Sequence, residues 1–266
     1  MTATCPSGNP LPQSPGSTHP LLAMVALKTP SLPLATALLG SLKAIPGIAV
    51  DLGSVQTKDE SFVFGLGKDH AAIALLPAPI PWSNLEGPCA TAWWWPEATE
   101  RMKGHRAHVL VALVGETGNP VQRHITFTHL TAAVASHTDA VGIYWGGGRL
   151  VHDPQAFIEE AQNVSPANLP LSLWIDFRVE TNDDGSHRLF TTGMKAFGKM
   201  EIEIPHSKNK PVDVFNFACS IADYVITNNP NIEDGHTMGR SATEKIRATY
   251  TPSMYDSTIT VLRLDF

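Results

Sequence analysis

Cysteine is scarce, with three residues in a chain of 266. Cys5, Cys89 and Cys219 are an odd number, and no C-x-x-C occurs. That argues against a disulfide framework and against a cysteine-rich zinc site, and it leads us to expect a reducing, cytoplasmic setting. Charge is also sparse, at 17% of residues with a net charge of -6. Lys and Arg are scattered, with no cluster denser than Arg101-Met102-Lys103. A nucleic-acid binder needs a basic surface to displace counterions, so none is expected among the partners. Long hydrophobic runs are missing as well. The apolar stretch from Leu21 is broken by Lys28, Pro30 and Pro33, too soon to span a bilayer, so no membrane partner is expected. The chain lacks a G-x-S-x-G nucleophile elbow. Gly146-Gly147-Gly148 follows a strand, but no Walker lysine and no G-x-G-x-x-G accompany it, so it reads as a turn and not a phosphate cradle.

What is present is a globular balance, with 43% hydrophobic residues, enough for one large domain or two ordinary ones. Residues 1–20 are rich in Pro, Ser, Gly and Thr and read as a disordered tail without the pattern of a signal peptide. From there a β-α-β-β-α-β order can be traced twice. The first pass, residues 21–115, runs through strands at Leu21–Leu27, Gly47–Leu52, Ala71–Leu76 and Ala107–Val114, with helices over Ser31–Ile45 and Trp82–Trp95. Residues 116–138 hold a connecting helix, Pro120–His137. The second pass, residues 139–266, has strands at Val141–Trp145, Leu171–Val179, Leu189–Thr192, Met200–Ile204 and Thr258–Leu264. Its helices are Asp153–Asn163, with Asp153 as N-cap and Pro154 at the first position, and Val212–Thr227. Asn182-Asp183-Asp184-Gly185 is a hairpin turn signal, and Pro205 reads as a strand stop. The expected class is therefore α+β, as two ferredoxin-like halves in one chain, possible partners in a pseudo-dimeric packing.

Period-two alternation selects the candidate site. In Leu171–Val179 the odd positions are apolar and the even ones are Ser172, Trp174, Asp176 and Arg178. In Met200–Ile204 the outward positions are Glu201 and Glu203, about 6–7 Å apart by strand rise. If the strands are neighbours, Trp174, Asp176, Arg178, Glu201 and Glu203 make one polar wall with an aromatic in it. A salt-bridged sheet face is the plain reading of such carboxylates, and a catalytic pair is the sharper one. His105 and His108, three apart and entering a strand, face opposite sides and do not share a metal easily. His124 and His129, five apart on a helix, diverge, so no metal and no cofactor is expected. Trp93-Trp94-Trp95 cannot all face one core. A seam between the halves is the preferred reading, with a partner or ligand site as the alternative, and Trp94 and Trp95 join the candidates. Asp234-Gly235-His236-Thr237-Met238-Gly239 reads as a tight loop, with Asp234, His236 and Thr237 as candidate contacts.

The chain resembles the family known as domain of unknown function 4261. The resemblance is carried by Pro79-Ile80-Pro81 with Leu85-Glu86, Trp95-Pro96, His105-Arg106-Ala107-His108 and Val141-Gly142-Ile143-Tyr144-Trp145. It continues through Leu173-Trp174, Thr192-Gly193, Phe197-Gly198, Glu201-Ile202-Glu203-Ile204 and Asp234–Gly239. It is read from Leu21 to the C-terminus, with His236 departing from the acid usual at its place. It implies a bacterial protein and brings no activity. Two function classes stand at this point. The first is a non-catalytic protein-interaction or accessory protein, for example one that neutralises a toxin by covering a basic partner. The alternative is an enzyme or small-ligand binder with an acidic, aromatic cleft between the halves, walled by Trp174, Asp176, Glu201, Glu203 and His108. A deep pocket holding a carboxylate of shifted pKa separates the second from the first.

Overall fold

The computed structural model describes residues 20–115, 118–239 and 244–266. Cys5 and, apart from Pro20, the expected tail lie outside them. β1 (Leu21–Leu27) buries Ala23, Val25 and Leu27 on one face and Ala26 on the other, so both of its faces need a cover. α1 (Ala35–Lys43) supplies Leu38, Leu39 and Leu42 to the first of these. A meander follows of β2 (Val50–Lys58), β3 (Ser61–Leu66) and β4 (Asp69–Leu76). α2 (Trp82–Thr91) and α3 (Ala98–Lys103) then pack Leu85, Cys89, Ala98 and Met102 on the second face, against Ala26. β5 (Ala107–Val114) returns beside β1.

α4 (Pro120–Ser136) starts at a firm cap: Asn119 Oδ1 accepts from the N–H groups of Val121 and Gln122, and Pro120 takes the first position. Buried residues occur all round it, from Arg123 and His124 to Val134 and Ala135, as in a helix enclosed on every side. β6 (Ala140–Trp145) and β7 (Leu150–His152) complete a seven-stranded antiparallel sheet in the order β2-β3-β4-β5-β1-β6-β7. α5 (Pro154–Gln162), capped by Asp153 Oδ1, leads on to the single turn α6 (Leu171–Trp174).

The second sheet begins with the hairpin of β8 (Asp176–Thr181) and β9 (His187–Thr192). A 3₁₀ turn (Met194–Phe197) and β10 (Ile202–Ser207) come next. α7 (Pro211–Asn228) crosses to β11 (Thr237–Met238), β12 (Ile246–Pro252) and β13 (Thr260–Leu264), in the order β11-β12-β13-β10-β9-β8. Its core joins Leu189, Ile202, Ile204 and Leu262 to Val214, Phe217, Ala218 and Ile221 of α7. α4 links the two units, because Thr128 Oγ1 accepts from Trp174 Nε1 at 2.8 Å and His124 stacks on Phe197 with ring centroids 4.1 Å apart.

The α+β class holds, but the strand orders are not those of two four-stranded halves. β6 and β7, although within 139–266, belong to the first sheet. β3, β7, β11 and β12 were not anticipated. Leu171–Val179 is not one strand: Leu171–Trp174 turns helically, and Leu173, Trp174 and Ile175 are buried in succession where a strand would alternate. Pro205 does not stop β10, which runs on to Ser207. Its register against β9 shifts between Ile204 and Ser207, and at such a bulge the missing N–H of proline costs no ladder bond. The triple glycine proves to be a packing device, because a Cβ on Gly148 would lie 2.5 Å from the Trp174 carbonyl oxygen.

Candidate functional site

A cleft of about 920 Å³ opens where the two units meet. One wall is the segment from Cys89 to Pro96 and Thr99, the end of α2 and the turn after it. The other is β8, from Asp176 to Glu180, with Pro211, Val212 and Phe215 from the start of α7. The aromatic lining is contiguous. Phe215 packs edge-on against Phe177 at 5.7 Å and against Trp93 at 6.2 Å. A neighbouring hollow of about 470 Å³ shares Trp93, Trp95, Phe177 and Phe215 and continues to His152 and Phe157.

The three tryptophans diverge. Trp95 is buried with Met102 and Ala98 in the core under α2 and α3. Trp94 is partly covered, and its Nε1 donates to the Val151 carbonyl at 3.2 Å. Trp93 is 73% exposed, which for a tryptophan beside an apolar cleft is unusual. So the run supplies both a seam and an open surface. Sequence reasoning singled out the tryptophan run but took only Trp94 and Trp95 from it as candidates, and it passed over Val212 and Phe215. The available signal was in α7, whose Val212, Phe215 and Cys219 form an apolar stripe apart from the Val214, Phe217 and Ile221 stripe that meets the sheet.

The polar end of the cleft is Asp176 and Arg178. Arg178 Nη2 donates to Asp176 Oδ2 at 2.6 Å and to Thr91 Oγ1 at 2.8 Å, so it joins β8 to the opposite wall. Burial raises the Asp176 pKa above the ordinary carboxylate value, against the opposing pull of Arg178. The Arg178 guanidinium also lies over Phe190, 5.7 Å from the ring centroid, and its buried Nε has no hydrogen-bond partner among the described residues.

The remaining candidates do not join this cleft. Trp174 is 1% exposed and held by Thr128, in the core and not on a wall. Glu201 and Glu203 share no partner. Glu201 accepts from Thr191 Oγ1 and from the N–H groups of Gly193, Met194 and Lys195, the anion at the start of the 3₁₀ turn. Burial raises its pKa in spite of these bonds. Glu203 is buried on the opposite side of the sheet from α7, accepting from Ser253 Oγ and the Met254 N–H, with Arg263 Nη2 at 3.9 Å. The pair is thus neither exposed nor catalytic in geometry. His108 Nδ1 meets the Ala78 carbonyl at 2.8 Å, and burial lowers its pKa. His105 accepts the Ile80 N–H at Nε2, 2.6 Å away, which puts its proton on Nδ1 toward the Met102 carbonyl. Asp234 Oδ1 accepts the Tyr250 N–H, His236 lies against Glu233, and Thr237 pairs with Arg247 in β11–β12, far along the sheet from β8. Among the described residues no group of three His, Cys, Asp or Glu side chains could hold a metal ion, and no helix is long and apolar enough to cross a membrane.

Residues 190–265 match the family model Domain of unknown function (DUF4261). The matched segment runs from the end of β9 to β13 and contains Gly193, Gly198, the Glu201–Ile204 strand and the Asp234–Gly239 loop. It is shorter than the span from Leu21 over which the resemblance was read. No curated protein and no solved structure matches the chain.

Proposed function

We propose that this chain, whose residues 190–265 match the DUF4261 family model, is a non-catalytic recognition protein that works through the cleft between α2 and β8. The observation that carries this reading is the exposed Trp93 at the mouth of an aromatic cleft with a half-buried ion pair at one end. Tryptophan and arginine are the residues that most often anchor protein interfaces, and an apolar centre with a few placed polar groups is how such sites are built. Cys89 and Cys219 are free thiols, with pKa values pushed by burial up to about 11 and about 12, so neither serves as a reactive nucleophile. Unreactive thiols suit the reducing, cytoplasmic setting we assign to the protein.

The test is a pull-down from the source cell's lysate with wild type and Trp93→Ala, followed by mass spectrometry of proteins and small molecules. A stoichiometric protein partner lost in the variant supports the reading, and a partner held equally by both contradicts it. A second reading has a specific observation behind it. Asp176, buried in the cleft with a raised pKa, is the feature expected of a small-ligand or catalytic pocket. A retained metabolite with no protein partner would decide for that reading.

A further inference from the structure

We propose that the occupant of the cleft is an extended segment of a partner protein, added as a seventh strand along the free edge of β8. The inference rests on the recognition reading above. Among the described residues β8 is the last strand of its sheet and pairs only with β9. The turn fixes which of its peptide groups are free. The Asn182 N–H donates to the Ser186 carbonyl, so 182 and 186 are a hydrogen-bonded pair. Counting back along the antiparallel register, Glu180↔Arg188 and Arg178↔Phe190 are hydrogen-bonded pairs, and Val179↔Leu189 and Phe177↔Thr191 are not. The N–H and C=O groups of Phe177 and Val179 therefore point away from β9, along the stretch of strand that lines the cleft. Such an edge is a template for another strand.

The surroundings select a lone strand. The edge opens into the cleft of about 920 Å³ closed on its far side by the segment from Cys89 to Pro96, which has room for one extended segment and not for a second sheet. The chemistry of the segment follows from the alternation of β8. On one side it would meet Phe177, Val179, Val212 and Phe215, which call for apolar residues at every second position. On the other it would meet Asp176, Arg178 and Glu180, where Asp176 pairs with Arg178 and Glu180 with Arg188 of β9, so this side calls for polar residues between the apolar ones, basic in preference to acidic in a chain of net charge -6.

The test selects random dodecapeptides displayed on phage against the full chain, then measures synthetic versions by fluorescence polarisation. Val179→Pro removes one cleft-facing N–H and no bond to β9, and Val55→Pro places the same residue on the opposite edge strand, β2. The expected result is a set of peptides with alternating apolar and polar residues, the polar ones basic in preference to acidic. They should bind Val179→Pro about ten-fold more weakly and Val55→Pro as well as wild type. N-methylation of the peptide backbone should abolish binding at every second amide, and this series decides the matter on wild type should Val179→Pro not fold. Peptides that lose binding in Trp93→Ala but ignore Val179→Pro and N-methylation overturn strand addition and leave the cleft reading standing. No enrichment, or binding indifferent to both variants, overturns the two together. A dimer in sedimentation equilibrium that Val179→Pro dissociates would give the edge to a second copy and overturn the peptide proposal.

Discussion

The outer strands of the two sheets, β2 and β8, are built in opposite ways. β2 is mostly exposed, and its register against β3 breaks between Asp51 and Gln56. Within that break Ser54 Oγ takes the Gly65 N–H at 2.7 Å, and Asp51 Oδ1 takes the Gly53 N–H, so side chains satisfy groups that a ladder would use. The strand ends on Lys58. A bulge, polar residues and a terminal lysine are the devices that keep an edge from pairing with another chain. β8 lacks the bulge and the terminal lysine. Its six residues keep unbroken register with β9, Phe177 and Val179 alternate with charged neighbours, and an aromatic wall stands opposite. One edge is protected by irregularity. The other is regular and is sheltered by the cleft, which is the arrangement expected of an edge kept for use.

Acid should break the comparison most strongly, by loosening the seam that carries β8. His124 and His152 are fully buried, and burial lowers both pKa values to about 4. His124 stacks on Phe197 and lies by Trp174, and His152 bonds the Leu173 carbonyl at 3.2 Å, so both hold the first sheet to the segment leading into β8. Both folded-state values lie below the unfolded value of 6.5, so the unfolded chain binds more protons between pH 6.5 and 4. The stabilisation is complete above pH 6.5 and is lost as pH falls toward 4, at roughly 3 kcal/mol per histidine as an upper figure. Urea titrations at stepped pH should show that slope, and His124→Phe should remove about half of it. Amide exchange should rise at β8 before it rises at β2.

Gly148→Ala should act on the same seam at neutral pH. Its Cβ would meet the Trp174 carbonyl oxygen at 2.5 Å, an overpacking worth about 1–3 kcal/mol in chemical denaturation. Gly40→Ala, in a helix with nothing within 4 Å, is the matched control and should be neutral or stabilising. The smallest effect on stability is expected from Trp93→Ala, within about 0.5 kcal/mol because the side chain is largely in solvent. Its effect on a cleft-bound partner should be at least about 2 kcal/mol, read as a loss of affinity with an unchanged melting curve.

The sequence was legible where apolar runs, turn signals and caps spoke clearly. β1 and β5 follow from apolar runs of strand length, β9 from the turn signal before it, α5 from Asp153-Pro154, and α7 from its main apolar stripe. Sheet membership was not legible, because β6 carries no local mark of its partner and joins β1 across more than a hundred residues. Asp176 and Arg178 were found because they alternate with Phe177 and Val179. Trp174 was misplaced because a single helical turn breaks the alternation one residue before β8 begins. Glu201 and Glu203 were paired by strand parity, but β10 starts only at Ile202, and the backbone amides of the 3₁₀ turn draw Glu201 to a separate site. The cleft itself could not be read in advance, since it is made by segments around residues 91, 178 and 212 that only the tertiary fold brings together.

Residue-resolved amide hydrogen exchange along β8 in the free protein tests the central claim most directly. Phe177 and Val179 should exchange much faster than Arg178 and Glu180, whose N–H groups the register turns toward β9. Equal, strong protection at all four would mean that the edge is already paired or enclosed, and would contradict a β8 held open for a partner.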